Sequence, residues 1–168
     1  LAGQPLVWVE QSEQRGTGHA VMQAMPALAD TERVLVLYGD VPLIRPETLH
    51  TLIDVAAAEP LALLSLELED PGGYGRVLRD PAGRVLRIVE QKDASPEELE
   101  VRECNTGIMC ADTAHLRVWL DRIGDDNAQR EYYLTDIVGL AVADGAEVMA
   151  VIASDPNEVT GVNHRAQL

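Results

Sequence analysis

Lysine occurs once in this chain of 168 residues, at Lys92, so arginine supplies nearly all of the 13 basic residues that stand against 28 acidic ones. The formal charge of −15 argues against a DNA- or RNA-binding surface. Anionic nucleotides remain possible ligands if a cation and a few arginines neutralise them locally. No apolar run approaches the roughly 20 residues that cross a bilayer, so membrane insertion is not expected. No basic stretch followed by an apolar one opens the sequence, so no secretion signal is expected, and Leu1 in place of Met hints at residues upstream. The only cysteines, Cys104 and Cys110, fall in one expected strand. At about 3.3 Å per residue they lie roughly 20 Å apart, too far for a disulfide. Two free thiols fit a reducing cytoplasm. The four histidines lack metal-ligand spacing, and neither a G-x-S-x-G elbow nor a P-loop occurs.

What is present begins with VLVLYGDVPLI, residues 34–44. The run Val34 to Tyr38 reads as a strand buried on both faces, and Gly39, Asp40 and Pro42 leave it for a loop. Asp40 therefore follows the carboxyl end of a strand, the side on which open α/β sheets bind ligands. Its carboxylate suits a hard cation, or it simply caps the next turn. Leu6 to Glu10 alternates as a strand does, and a helix through about Ala29 is expected after the Gly16-Thr17-Gly18 turn, despite Pro26. Pro46 and Glu47 open a helix whose face carries Leu49, Leu52, Ile53 and Ala56, and Pro60 closes it.

Leu61 to Leu68 is a further apolar strand. This βαβαβ order predicts an α/β fold with a mainly parallel sheet covered on both faces. Arg76 to Arg79 and Arg84 to Glu90 flank Asp80-Pro81-Ala82-Gly83 as a hairpin. Ser95 and Pro96 start a short helix, and Glu147 to Ile152 is another strand. Leu116, Trp119, Leu120 and Ile123 mark a core stripe. At 168 residues one domain is expected, without repeats or low-complexity segments.

Five strings in order resemble the sugar-1-phosphate nucleotidyltransferases, most closely the bacterial N-acetylglucosamine-1-phosphate uridylyltransferases. They are the Q-x-x-x-x-G-T-G-H-A run from Gln11 to Ala20, Y-G-D-V-P-L-I from Tyr38, and Y-G-R with I-V-E-x-K-D from Tyr74 to Asp93. The last two are N-T-G at Asn105 with N-A-Q-x-E-Y-Y-x-T-D-I from Asn127, and G-V-N-x-R-x-Q-L from Gly161. The resemblance implies a Rossmann-like fold of the nucleotide-diphospho-sugar transferase type with a hairpin insertion. It implies that residues 1–168 are a partial nucleotidyltransferase domain without the first βα unit.

The reaction implied joins UTP and N-acetylglucosamine 1-phosphate to give UDP-N-acetylglucosamine and pyrophosphate in the cytoplasm. Gln11, Gly16 and Thr17 would meet the uridine, and Tyr38, Gly39 and Asp40 the nucleotide. Gly75, Glu90 and Asn105 would meet the sugar, and Tyr133 and Thr135 would face the substrate. Asp40 and Asn163 would hold Mg2+ and carry the chemistry by charge neutralisation.

Two parts of the family pattern have no counterpart in this sequence: the glycine-rich L-x-x-G-x-G-T-R-M loop with its downstream Lys, and a C-terminal β-helix with acetyltransferase activity, through which the parent would form a trimer. The chain by itself is therefore expected to be inactive. A thymidylyl- or glucose-specific relative, a non-catalytic nucleotide-sugar binding module and a purely structural fragment stay open as alternatives.

Overall fold

The computed structural model describes residues 6–29 and 31–161. The alternation over Leu6–Glu10 predicts a strand, and the structure has none there: the segment has no ladder and Trp8 is 87% exposed. Alternation fixes which side chains share a face, but a strand persists only where a neighbour takes up its N–H and C=O groups. Among the described residues none does.

Thr17–Ala24 forms α1 and tightens into a 3₁₀ turn over Met25–Leu28. The single helix expected through Ala29 breaks here because Pro26 has no N–H for the i→i−4 ladder. Strand β1 is Arg33–Val36, shorter than Val34–Tyr38, and only Val34 is buried in it. The expectation of burial on both faces fails for a topological reason. Among the described strands β1 pairs only with the later strand Glu103–Asp112, and along its side α1 leaves an open groove lined by Val21, Leu35 and Leu37. Leu37 is 48% exposed.

Pro46–Ala58 is α2, with Pro at its start and Glu47 in its first turn, where a carboxylate meets the positive end of the helix. It buries Leu52 and Ala56 and turns Ile53 outward. Leu61–Glu67 is β2, buried along all but its last residue. Arg76–Arg79 (β3) and Val85–Val89 (β4) form the hairpin, closed by a Gly83 N–H bond to the Asp80 carbonyl at 2.9 Å. Pro96–Leu99 (α3) starts on Ser95 with a full capping box. Then come Glu103–Asp112 (β5), Thr113–Leu120 (α4), Asp136–Ala143 (α5) and Val148–Ile152 (β6).

The sheet runs β4-β3-β5-β2-β6, with β1 on β5 as well. Strands β1, β2, β3 and β6 share a direction, but β5 lies antiparallel between them, so β2–β6 is the one parallel pair among those described. This corrects the expected mainly parallel sheet, since four of the five pairings among the described strands are antiparallel. The α/β order held, but no periodicity reveals that the ten-residue strand carrying N-T-G returns against the others.

Both faces are covered. Leu61 and Leu63 of β2 face α4 and α5, with Leu116, Trp119, Leu120 and Ile123 as the expected stripe. Ala62, Leu64 and Leu66 face α2 with Leu52 and Ala56. Alternate residues of one strand thus enter two cores, which is why the strand reads as continuously apolar. Each such leucine contributes roughly 1.5–3 kcal/mol by leaving water. Cys104 and Cys110 are buried free thiols in β5, and burial pushes both thiols up in pKa. Among the described residues no helix is long and apolar enough to cross a membrane.

Candidate functional site

The site begins with the loop after Gln11, which is laced to residues 132–134. Gly18 N–H donates to the Tyr132 carbonyl at 2.8 Å, Tyr132 N–H to the Arg15 carbonyl at 2.8 Å, and Leu134 N–H to Thr17 Oγ1 at 3.1 Å. Gly16 sits at φ +107, and a Cβ there would lie 2.6 Å from the Tyr132 carbonyl oxygen. The close approach that the G-T-G run permits is thus made first to the chain's own Tyr132. Arg15 stacks 4.8 Å over the Tyr132 ring and donates to its hydroxyl at 3.1 Å. Gln11 folds back on the same loop, its Nε2 donating to the Gly16 carbonyl at 3.0 Å.

Tyr38 leaves the end of β1 and joins this loop to the middle of β5. Its ring fills the space over Gly107, which has φ +83. Burial raises the Tyr38 hydroxyl pKa, the charge of Glu90 adds to that, and a hydrogen bond with Thr17 opposes it. Gly39 and Asp40 follow in a turn closed by a Val41 N–H bond to the Tyr38 carbonyl at 3.3 Å. Asp40 is exposed, and no described residue bonds its carboxylate. It borders a cavity of about 380 Å³ shared with Gly73, Tyr74, Thr106, Thr160 and Gly161.

Beyond Tyr38 lie the residues expected at a sugar. In β5, the N-T-G run is a β-bulge: pairing with β2 shifts register between Leu63 and Ser65, and Thr106 Oγ1 bonds the Leu64 carbonyl at 2.7 Å. The bulge turns Asn105 so that its Oδ1 accepts from Gly107 N–H at 3.1 Å, while its own N–H donates to the Gly75 carbonyl at 2.9 Å. No described residue takes the Nδ2 hydrogens. Glu90 Oε1 accepts from Thr135 Oγ1 at 2.9 Å, and Glu90 Oε2 lies 3.3 Å from where a Cβ on Gly75 would be. A side chain at 75 would crowd that oxygen. Gly75, Glu90, Asn105 and Thr135 therefore form one cluster, joined by hydrogen bonds and direct contact.

The cluster is strongly acidic. Asp136 is held above the usual carboxylate range by burial and then by the charges of Glu90 and Asp93. Tyr133 is buried, and desolvation followed by Asp93 and Glu90 pushes its hydroxyl up to about 12. No well-aligned acceptor meets that hydroxyl among the described residues, so Asp93 acts on it chiefly by charge. Such a surface offers hydrogen-bond acceptors and an O–H donor to a polyhydroxylated ligand.

Three residues escape the sequence reading. Asp93 ties the loop after Glu90 to the Asn127 block, accepting from Ala128 N–H at 2.8 Å. His19 touches Gln11, with 3.0 Å between His19 Nδ1 and Gln11 Nε2. Glu158 is 2% exposed and accepts from Thr48 Oγ1 at 2.8 Å and Arg45 N–H at 3.2 Å, pinning the turn Pro156–Val159 to the start of α2. Only long-range pairing marks it, and no local pattern shows that. Asn163 lies outside the described residues.

Comparison with known proteins shows what the chain as a whole is similar to. The chain is 57% identical over 164 residues to the bifunctional protein GlmU of Methylococcus capsulatus, covering 98% of this chain and 36% of that protein. It is 62% identical over 161 residues to the bifunctional protein GlmU of Aromatoleum aromaticum, covering 96% and 35%. The chain thus spans about a third of the length of these curated relatives. Its fold matches the crystal structure of a nucleoside-diphosphate-sugar pyrophosphorylase from Vibrio cholerae RC9 with a TM-score of 0.61 at 16% identity, over 86% of this chain and 59% of that one. The profile of the MobA-like NTP transferase domain matches residues 1–91, more than half of the sequence, and so the chain belongs to the MobA-like NTP transferase family.

Proposed function

We propose that this chain forms part of a nucleotidyltransferase domain that makes UDP-N-acetylglucosamine and pyrophosphate from UTP and N-acetylglucosamine 1-phosphate. The observation that carries the reading is the position of Tyr38: its ring lies on Gly107 of β5, its hydroxyl meets Thr17 of the Gln11–Gly18 loop, and the charges of Glu90 and Asp40 act on it. A nucleotide-sugar laid along these segments would have its base at Gln11 and Gly16, its phosphates at Asp40 and its sugar at Glu90.

The attacking oxygen of a sugar phosphate is already anionic, so no side-chain nucleophile is needed. What the chain supplies is position: the base and sugar ends fix two reacting groups in line, which converts a bimolecular step into an effectively unimolecular one. Glu90 and Asn105 would read the sugar hydroxyls and amide, and Thr135 and Tyr133 would support them.

The Asp40 carboxylate, exposed and without a described partner, fits a magnesium ion. Among the described residues no group of three or more His, Cys, Asp or Glu could cage a cation. An ion here would take one or two protein ligands, with the rest drawn from phosphates and water. Asp40 and Asn163 would hold it, and when bound it supplies charge neutralisation at the phosphates. The parent protein would be a cytoplasmic trimer assembled through a further domain.

The test is pyrophosphate release from UTP and N-acetylglucosamine 1-phosphate by a full-length protein carrying this chain. Release is expected to be lost when UTP is replaced by CTP or when Mg2+ is removed. Binding of UDP-N-acetylglucosamine without any pyrophosphate release would instead make the protein a nucleotide-sugar binding module.

A further inference from the structure

The amide of Gln11 lies between two acceptors. Its Nε2 is 3.0 Å from the carbonyl oxygen of Gly16 and 3.0 Å from His19 Nδ1. A carbonyl oxygen can only accept, so Gly16 fixes which end of the amide is the NH2 end. Both amide hydrogens are then engaged. Oε1 is left at the opposite end with no described donor.

The same reasoning runs into the ring. When Gln11 donates to Nδ1, a neutral imidazole carries its proton on Nε2. That nitrogen is 3.2 Å from Nε2 of Gln23, which sets donor against donor. Gln23 Nε2 also reaches the His19 carbonyl, but at 3.4 Å, and that oxygen is already the i−4 acceptor within α1. The more weakly held amide gives way, and Gln23 turns its oxygen to His19 Nε2–H. The result is a one-way relay. Gln23 accepts from His19, His19 accepts from Gln11, and Gly16 takes the second Gln11 hydrogen.

We propose that His19, kept in its Nε2–H tautomer by Gln23, is a specificity-determining positioning residue that holds Gln11 Oε1 toward the base and so selects uracil over cytosine. This rests on the uridine reading above and extends it. Uracil donates from ring N3, whereas cytosine accepts there. With the amide tethered, cytosine N3 meets Oε1 acceptor to acceptor. A free glutamine could rotate its terminal amide by half a turn and serve either base. One held at both N–H groups cannot turn without setting its oxygen against the Gly16 carbonyl and His19 Nδ1. His19 itself needs no contact with the base.

The test is titration calorimetry of the full-length protein carrying this chain with UDP and with CDP. It is run on the unsubstituted protein and on His19→Leu, His19→Asn and Gln23→Leu. His19→Leu leaves Gly16 alone to hold the amide, and the preference for UDP is expected to fall about tenfold, mainly through tighter CDP binding. Asparagine can place Oδ1 near the former Nδ1, so His19→Asn should keep the preference. Gln23→Leu frees the tautomer and should give a smaller loss. Should His19→Leu fail to fold, the Gln23→Leu ratio decides.

A purely structural role would weaken both nucleotides alike. An unchanged ratio in His19→Leu and Gln23→Leu therefore overturns the proposal and leaves the uridine reading standing. An unsubstituted protein with no preference for UDP overturns the uridine reading, and the proposal with it.

Discussion

The Tyr38 ring and Gly107 meet so closely that only a hydrogen fits between them: a Cβ on Gly107 would lie 2.4 Å from Tyr38 Cε2 and 2.8 Å from Cζ. Gly107 also stands at φ +83, a conformation that L side chains rarely adopt. Gly107→Ala should therefore combine backbone strain with overpacking, a cost of about 2–4 kcal/mol. Urea denaturation measures it. A cost under about 0.5 kcal/mol would mean that Tyr38 is free to move aside, and that the bulge does not set its place.

Asp40→Ala separates chemistry from folding. The side chain is exposed and bonds no described residue, so the melting temperature should shift by no more than about 2 °C. Pyrophosphate release by the full-length protein should fall by about 100-fold or more, as when a charge-stabilising group is lost. Near-normal turnover at limiting Mg2+ would remove Asp40 from the proposed site.

Glu90→Gln should act on one substrate. It keeps the shape, and an amide oxygen can still accept from Thr135. It removes the charge that sugar hydroxyls would meet. The Michaelis constant for N-acetylglucosamine 1-phosphate should rise by about tenfold, with that for UTP little altered. Equal effects on both would point to a role in bracing Thr135 alone.

Asp136 gives a pH prediction with a definite sign. Its pKa is raised in the folded chain above the usual 3.8, by burial and then by Glu90 and Asp93. The folded state therefore holds this proton more tightly than the unfolded one, and its contribution to stability falls as pH rises from about the ordinary value through the raised one. Asp136→Asn should stabilise the protein at neutral pH and do little below pH 4, the approximate unfolded value. Thermal melts at the two pH values check this. A substitution that destabilises at neutral pH would show that the favourable helix-start charge outweighs the crowding.

Local rules carried the reading where the chemistry is local. Pro46 with Glu47, the Ser95 capping box and the Asp80–Gly83 turn form where the residues predict, because each depends on neighbours within a few positions. Leu6–Glu10 did not, because a strand needs a partner and alternation does not supply one. The antiparallel return of β5 was equally hidden, since N-T-G reads as a motif and acts as a bulge. For the site, resemblance named the residues that the structure then brings together at Gly75, Glu90, Asn105 and Thr135. It gave no role to His19, although the first string holds both His19 and its partner Gln11, and it did not reach Glu158, whose partners Thr48 and Arg45 no string joins to it.

Strand β2 lies inside the sheet, between β5 and β6, with each face in a different core. During synthesis this order becomes a delay. Residues 61–67 leave the ribosome well before 103–112 and 148–152 exist, and at about 5–20 residues per second that wait lasts several seconds. A strand that ends with both faces buried thus spends that interval incompletely paired. What separates nascent copies in that interval is the surplus of carboxylates already made, which grows to a net charge of −15 in the full 168 residues and makes one unfinished chain repel another.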